Sequence, residues 1–267
     1  MNKQFPDQWA IILGGSSGFG YAAIEKLAAN GMNIALLYRE THAAEKQIKL
    51  QLSDIAGKND VKVLPYNINA LTEDGRTSFI KGLQNVGFPK KSVKLLLHSI
   101  ARGNLKPLAA EERNPGETLS IEDLQLTTYA MSNSLLDWTR ILLAEDLFSD
   151  DARVIGLTSE GAHKYWESYA AVSVAKASLE SLATYMAVEF ARFGLRTNII
   201  QAGVTETPSF KKIPGSKQLA EFTSSRNPLG RITTPQDVAN VIYLLCLPEA
   251  LWINGALIHV DGGEHCK

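Results

Sequence analysis

The chain has 267 residues, 45% of them hydrophobic, which is enough to form the core of one α/β domain. Its 27 basic and 28 acidic residues leave a net charge of −1, which gives no reason to expect a nucleic-acid-binding surface. Two cysteines, Cys246 and Cys266, are too few for a disulfide framework and favour a reducing compartment. The histidines lack metal-ligand spacing, and no apolar run has the length of a signal peptide or a membrane span. We therefore expect a soluble, cytoplasmic protein without a metal site.

Strand-like and helix-like segments alternate along the whole chain. This rhythm predicts a single Rossmann-like domain over residues 1–267, a doubly wound parallel sheet with helices on both faces. Strands are expected at residues 9–13, 33–38, 61–66, 92–98, 153–158, 196–201 and 256–260. Helices are expected at residues 18–29, 41–52, 121–147 and 169–193, and a further short one from Pro235.

Two stretches interrupt this rhythm, at residues 104–120 and 205–228. Both are polar and contain proline and glycine, and both follow strands. They should therefore lie at the carboxyl edge of the sheet, where open α/β sheets bind ligands. Loops of this length in a compact domain are usually functional or disordered.

A glycine-rich turn lies between the first predicted strand and the first predicted helix. Its glycines follow the pattern G-x-x-x-G-x-G, which lets the backbone approach a pyrophosphate while the helix N-terminus supplies N–H donors. A tight turn without a ligand is the alternative. The turn residues expected to contact a dinucleotide are Gly14, Ser16, Ser17, Gly18, Phe19 and Gly20.

Arg39 follows the second predicted strand, where the adenosine ribose of a dinucleotide should lie. An acidic residue there would bind a free 2′-hydroxyl, whereas an arginine suits a 2′-phosphate. Arg39 thus favours NADPH, with NADH as the alternative. Glu40 weakens the argument, since it could pair with Arg39 or face the ribose, and a solvated arginine is the simplest alternative. The ends of the next two strands are expected to contact the adenine and nicotinamide halves through Asn67 and Ile68, and through Ser99, Ile100 and Ala101.

Tyr169 and Lys176 lie seven positions apart on one predicted helix. At about 100° per residue both side chains point the same way, two turns apart. A phenol and an ammonium on one helix face beside a nicotinamide are typical of a reductase site. The alternative is a half-buried aromatic next to a surface lysine.

Several motifs together resemble the short-chain dehydrogenase/reductase superfamily over nearly the whole chain. They are the glycine turn, His98-Ser99-Ile100, Tyr169-x6-Lys176, residues 202–207 and Val260-Asp261-Gly262-Gly263. Within the superfamily the chain looks like the enoyl-(acyl carrier protein) reductases. Ordinary members place the tyrosine four residues before the lysine, where this chain has Val172, which has no proton to donate.

The resemblance implies reduction of a trans-2-enoyl thioester. Tyr169 would donate a hydrogen bond to the thioester oxygen as it becomes an enolate. Lys176 would be both a catalytic and a cofactor-binding residue, because it would hold the nicotinamide ribose and would lower the pKa of the phenol. Gly203, the backbone of Thr205, and Thr207 should contact the cofactor. The loop at about 205–228 would be the substrate-binding lid, and a homotetramer is expected.

The chain departs from the family pattern at three positions. Ser159 stands near the place of a second tyrosine and could hydrogen-bond the substrate carbonyl with Tyr169, or merely cap a strand end. Met131 replaces the relay asparagine of ordinary members, which argues against ketone reduction. Ala101 stands where enoyl reductases commonly have glycine, so triclosan should bind poorly.

A group of basic residues near the predicted lid could receive an acidic acyl carrier protein, although a solvated face is the simpler interpretation. They are Arg102, Lys106, Lys211, Lys212 and Lys217.

Together the motifs predict an NADPH-dependent enoyl thioester reductase of fatty acid or polyketide-type biosynthesis. One alternative is a carbonyl or 3-ketoacyl reductase of secondary metabolism, favoured by Ser159 and disfavoured by Val172 and Met131. Another is a non-catalytic NADP-binding sensor or scaffold. The sequence leaves open the acyl chain length, whether the acyl group arrives on carrier protein or on coenzyme A, and the pathway.

Overall fold

A computed structural model describes residues 3–110 and 118–267. Its centre is a seven-stranded sheet in the order β3-β2-β1-β4-β5-β6-β7, with every neighbouring pair parallel. The predicted Rossmann-like fold is confirmed. The chain reverses its direction of winding between β1 and β4, which is where such sheets bind ligands. The strands are β1 (Trp9–Leu13), β2 (Asn33–Tyr38), β3 (Val63–Asn67), β4 (Val93–His98), β5 (Phe148–Ser159), β6 (Leu195–Ala202) and β7 (Leu257–Val260).

Helices cover both faces of the sheet. Two of them begin with reciprocal capping hydrogen bonds, between Ser120 and Asp123 and between Thr234 and Asp237. The helices are α1 (Gly18–Ala28), α2 (His42–Asn59), α3 (Glu73–Asn85), α4 (Ile121–Thr128), α5 (Ser134–Ala144), α6 (Ala170–Glu189), α7 (Ser216–Arg226) and α8 (Pro235–Cys246).

The inner strands β2, β1, β4, β5 and β6 are largely buried on both faces, as their continuous apolar runs predict, whereas the edge strands β3 and β7 are only partly buried. On one face Ile12 belongs to a core formed with α1, α2 and α8. On the other face its neighbour Leu13 belongs to a core formed with α3, α5 and α6, where Phe79 and Trp138 meet edge to face. This double burial fixes the strands, and thereby the loops at their carboxyl ends.

The observed helices differ from the prediction in several places. The predicted helix at 121–147 is divided by a π-helical turn, Tyr129–Asn133, and ends at Ala144, because the segment from Phe148 already belongs to β5. The helix predicted at 41–52 continues to Asn59. Neither α3 nor α7 was predicted, because both helices are polar and bury few side chains.

The stretch predicted at 104–120 is described only in part. Pro115 and Gly116 lie outside the described residues. At its beginning, the Asn104 side-chain amide donates to Asp123 Oδ1 at 2.8 Å, and the Asn104 backbone N–H donates to Thr127 Oγ1 at 3.1 Å. The described helices include none with the length and apolar character needed to cross a membrane.

Candidate active site

Two contiguous cavities lie at the carboxyl edge of the sheet. The glycine-turn cavity lies beside Gly14 and Arg39, and the Tyr169 cavity lies beside Tyr169 and Lys176. They form one continuous cleft because they have lining residues in common, namely Phe19, Ser99, Ile100, Ala101, Thr207, Ser209 and Lys212.

The glycine turn is shaped by close backbone contacts. Gly14 has φ of +88°, and a Cβ there would lie 2.6 Å from the Ser99 oxygen. A Cβ on Gly20 would lie 2.1 Å from the Gly14 oxygen. Ser17 forms no side-chain cap on α1, so within the described residues the amides of its first turn stay available at the cavity wall. This arrangement fits a phosphate group.

The expected ribose-binding corner contains a small polar network. Arg39 lines the glycine-turn cavity. Ser16 Oγ donates to Glu40 Oε1 at 2.9 Å. Asn67 lies behind the wall, where its amide donates to the Glu40 oxygen and accepts from the Glu40 N–H, both at 3.0 Å. Asn67 therefore orients the segment after Arg39, and its contact with adenine stays a prediction, while Ile68 lines the cavity.

Tyr169 lies immediately before α6 rather than on it, a correction to the predicted helix start. Its ring is buried and packs 5.2 Å from that of Trp166, measured between centroids. Its phenol lies close enough to the Ser159 hydroxyl for Ser159 to affect its pKa, and Ser159 Oγ accepts the N–H of Gly161 at 3.2 Å. Burial raises the pKa of Tyr169, and the Ser159 hydroxyl opposes this effect.

Lys176 is buried on α6 and donates from Nζ to the Leu157 oxygen at 2.7 Å. Burial lowers the pKa of Lys176 to about 8, and the Glu180 carboxylate opposes this effect. The expectation that Lys176 lowers the pKa of the phenol is wrong for this geometry, since the ammonium is held by Leu157. Burial raises the pKa of Tyr169, and the smaller opposing effect comes from the Ser159 hydroxyl.

The cavity wall around Tyr169 is apolar. Met131, from the π-helical turn, and Val172 both line the Tyr169 cavity. A Cβ on Gly103 would lie 2.8 Å from side-chain atoms of Thr127 and Val172. Thus the two positions that carry polar catalytic groups in ordinary members here contribute hydrophobic surface.

The remaining predicted residues of the carboxyl-terminal half lie at the same cavity. Gly203, Thr205 and Thr207 line it. Thr207 Oγ1 accepts the N–H of Phe210 at 3.1 Å, near the start of the segment predicted to be a substrate lid.

The lining residues that were not predicted from the sequence include Glu160, Trp166 and Glu264. Glu160 directly follows Ser159, and Glu264 directly follows the terminal Asp-Gly-Gly, so both had a local signal. Their pairing with Arg226 spans 66 and 38 positions and had none.

The predicted basic group is only partly available. Lys106 Nζ donates to Asp123 at 2.8 Å, so Lys106 is already paired. Arg102, Lys211 and Lys217 are exposed, and Lys212 lies at the junction of the two cavities.

A family model described as enoyl-(acyl carrier protein) reductase matches residues 14–265. The chain belongs to this family. It is therefore an oxidoreductase that uses a nicotinamide cofactor. The enoyl-[acyl-carrier-protein] reductase [NADH] of Aquifex aeolicus is 33% identical over 176 residues, which cover 65% of this chain and 63% of that protein.

Two other relatives have lower identity over a larger part of the chain. The corresponding [NADH] enzyme of Bacillus subtilis is 26% identical over 84% of each chain. A tropinone reductase homologue of Arabidopsis thaliana is 27% identical over 95% of this chain and 91% of its own.

Solved structures of enoyl reductases share the fold. The Aquifex aeolicus structure has a TM-score of 0.82 at 26% identity, over 99% of this chain and 98% of that one. The Bacillus cereus enzyme has a TM-score of 0.85 at 22% identity over 99% of each chain, which shows the fold alone.

Proposed function

We propose that this protein reduces the 2,3 double bond of trans-2-enoyl thioesters with NADPH. The observation that carries the proposal is the pair of neighbouring hydroxyls, Ser159 and Tyr169, in a cavity whose apolar lining includes Met131 and Val172. A buried hydroxyl pair can stabilise charge on an acyl oxygen. The apolar wall suits a hydrocarbon chain and offers no relay for ketone reduction.

The cleft can position the cofactor along its whole length. The open first turn of α1 suits the pyrophosphate, and Lys176 suits the nicotinamide ribose once its ammonium exchanges the Leu157 oxygen for ribose hydroxyls. When bound, the reduced nicotinamide supplies a hydride. The other proposed contacts are Gly14, Ser16, Ser17, Gly18, Phe19, Gly20, Arg39, Asn67, Ile68, Ser99, Ile100, Ala101, Gly203, Thr205 and Thr207.

Tyr169 is the proposed donor to the thioester oxygen. As C3 of the substrate receives hydride, negative charge develops on that oxygen, and the phenol stabilises it by a hydrogen bond. Burial keeps the pKa of Tyr169 high, so the phenol stays protonated at neutral pH. Ser159, donating to the phenol oxygen, assists as charge moves onto it. A proton delivered to C2 then completes the reduction.

Arg39 supports NADPH as the cofactor, because its guanidinium lies at the ribose corner and suits a 2′-phosphate. Glu40 already accepts a hydrogen bond from Ser16 rather than pairing with Arg39 in the contacts described. The Aquifex and Bacillus subtilis relatives are NADH enzymes by name, which makes NADH the alternative to test.

The proposal extends to the whole assembly. Residues 1–267 form one domain, with residues 205–228 as the substrate lid. Lys211, Lys212 and Lys217 face an acyl carrier protein that delivers the substrate, in the cytoplasm, and the active form is a homotetramer.

A spectrophotometric assay tests the proposal. Loss of NADPH absorbance is expected with crotonyl or octenoyl thioester and not with acetoacetyl thioester. Parallel reactions with NADH rank the two cofactors. Silence with every acyl substrate would instead favour a cofactor-binding sensor or scaffold.

Ketone reduction is the second candidate. The proximity of Ser159 to Tyr169 also resembles the serine–tyrosine pairing of carbonyl reductases, and the chain aligns with a tropinone reductase homologue over 95% of its length. Turnover confined to acetoacetyl thioester would establish this candidate and refute the enoyl assignment.

A further inference from the structure

Arg226, the last residue of α7, joins three separate parts of the chain. Its Nη2 donates to Glu160 Oε2 at 3.0 Å and to Glu264 Oε1 at 3.1 Å, and its Nη1 donates to the Lys267 oxygen at 3.1 Å. The side chains of Arg226, Glu160 and Glu264 are 17%, 10% and 2% exposed. These are ion pairs shielded from water, unlike the exposed pairs that contribute little.

Both carboxylates belong to the wall of the Tyr169 cavity. Glu160 directly follows Ser159 and also binds Lys164. Glu264 Oε2 accepts the N–H of Val204 at 3.2 Å, at the start of the segment that we propose contacts the cofactor. Each acid therefore supports a different half of the reaction site.

The helix α7 has little else to hold it in place. Among the described residues it buries only Ala220 and Thr223. The lid packs on the site through a small apolar cluster in which Phe210 and Ala220 meet Val204. Segments with so few buried contacts open at low free energy, so a shielded ion pair at the end of α7 is decisive for its position.

We propose that Arg226 is a positioning residue. Through Glu160 it holds the closed lid against the turn that follows Ser159, and through Glu264 it holds the lid against the backbone at Val204. The Glu160–Arg226–Glu264 clasp makes closure of the lid and alignment of the hydroxyl pair with the cofactor one event. Without the cation, two buried carboxylates face each other, and Glu264 already has a pKa raised by burial and by Glu160. The proposal rests on the assigned enoyl reductase function only for its kinetic test.

The first test needs no turnover. Chymotrypsin cleaves after Phe222, which is exposed on α7, only when the helix opens locally. With saturating NADP⁺, Arg226→Gln should be cut about tenfold faster than the wild type, with Arg226→Lys between them because an ammonium lacks the forked donors. Glu221→Gln, on the same exposed helix, should be cut at the wild-type rate.

The second test is kinetic. With crotonyl thioester and NADPH, Arg226→Gln should raise KM about tenfold and lower kcat, while the Kd of NADPH changes less than about threefold. Glu160→Gln should act in the same direction, and the double variant should be no worse than Arg226→Gln, because the two residues act as one unit.

The outcomes separate the two proposals. Equal cleavage of wild type, Arg226→Gln and Glu221→Gln would overturn the clasp whatever the substrate. Inactivity of the wild type toward enoyl thioesters, with faster cleavage of Arg226→Gln, would refute the reaction and keep the clasp. If Arg226→Gln does not fold, the same chymotrypsin test is made with Glu160→Gln. A cleavage rate of Glu160→Gln equal to that of the wild type would then overturn the clasp.

Discussion

The two cavities of the cleft are built by different means. The glycine-turn cavity depends on the backbone, because Gly14 and Gly20 permit approaches that any Cβ would block. The Tyr169 cavity depends on side chains from β5, α6 and the proposed lid, which are held by hydrogen bonds and ion pairs. Backbone geometry defines what the superfamily shares, whereas the side-chain half decides which reaction follows.

The largest effect should come from the side-chain half. Tyr169→Phe removes the proposed donor and should lower kcat with an enoyl thioester about 10²–10³-fold, which corresponds to about 3–4 kcal/mol of barrier. The Kd of NADPH should hardly change, since the phenol belongs to the substrate wall. Steady-state kinetics and a fluorescence titration of NADPH measure the two quantities. A fully active Tyr169→Phe would show that another group donates to the thioester oxygen.

Substitutions in the glycine turn should change the stability of the fold. Gly20→Ala places a Cβ 2.1 Å from the Gly14 oxygen and should lower the free energy of unfolding by about 2 kcal/mol or more. Gly57 is the matched control: it lies within α2 and a Cβ there meets nothing within 4 Å. Gly57→Ala should raise the free energy of unfolding by about 0.5–1 kcal/mol. Denaturant unfolding of both variants measures these changes. Equal free energies of unfolding would show that the close approach of Gly20 to the Gly14 oxygen does not matter for stability.

Cofactor choice tests Arg39, one of the charged side chains that line the glycine-turn cavity. Arg39→Gln should raise the Kd of NADPH about tenfold, or about 1.4 kcal/mol, and leave that of NADH unchanged. Glu40→Gln is the complementary variant. If it weakens NADH while Arg39→Gln leaves NADPH binding as it was, Glu40 faces the ribose and NADH is the physiological cofactor.

The same contrast explains what could be predicted from the sequence. The glycine turn and the alternating strands are local patterns, and the structure confirms the parallel fold that they indicate. The helix α3 escaped because it is polar, with Phe79 and Leu83 among its few buried side chains. The break at Tyr129–Asn133 escaped because a π-helical turn leaves no mark in the apolar periodicity.

The electrostatics of the Tyr169 cavity could not be predicted for a related reason. Helical spacing placed Tyr169 and Lys176 together, but the partner of the ammonium, the Leu157 oxygen, belongs to β5. Likewise Arg226 reaches Glu160 and Glu264 across 66 and 38 positions. Such pairs exist only after the chain has folded.

The smallest expected effect concerns the pH dependence of that lysine. Burial lowers the pKa of Lys176 to about 8, so its ammonium is present below that pH and is lost as pH rises through it. Because kcat/KM reports the free enzyme, kcat/KM for the cofactor should be level at neutral pH and decline by a few fold above about pH 8. The phenol does not produce this decline, since burial raises the pKa of Tyr169 above its ordinary value near 10. A profile that stays level well into the alkaline range would show that Lys176 keeps its proton, or that its charge does not hold the ribose.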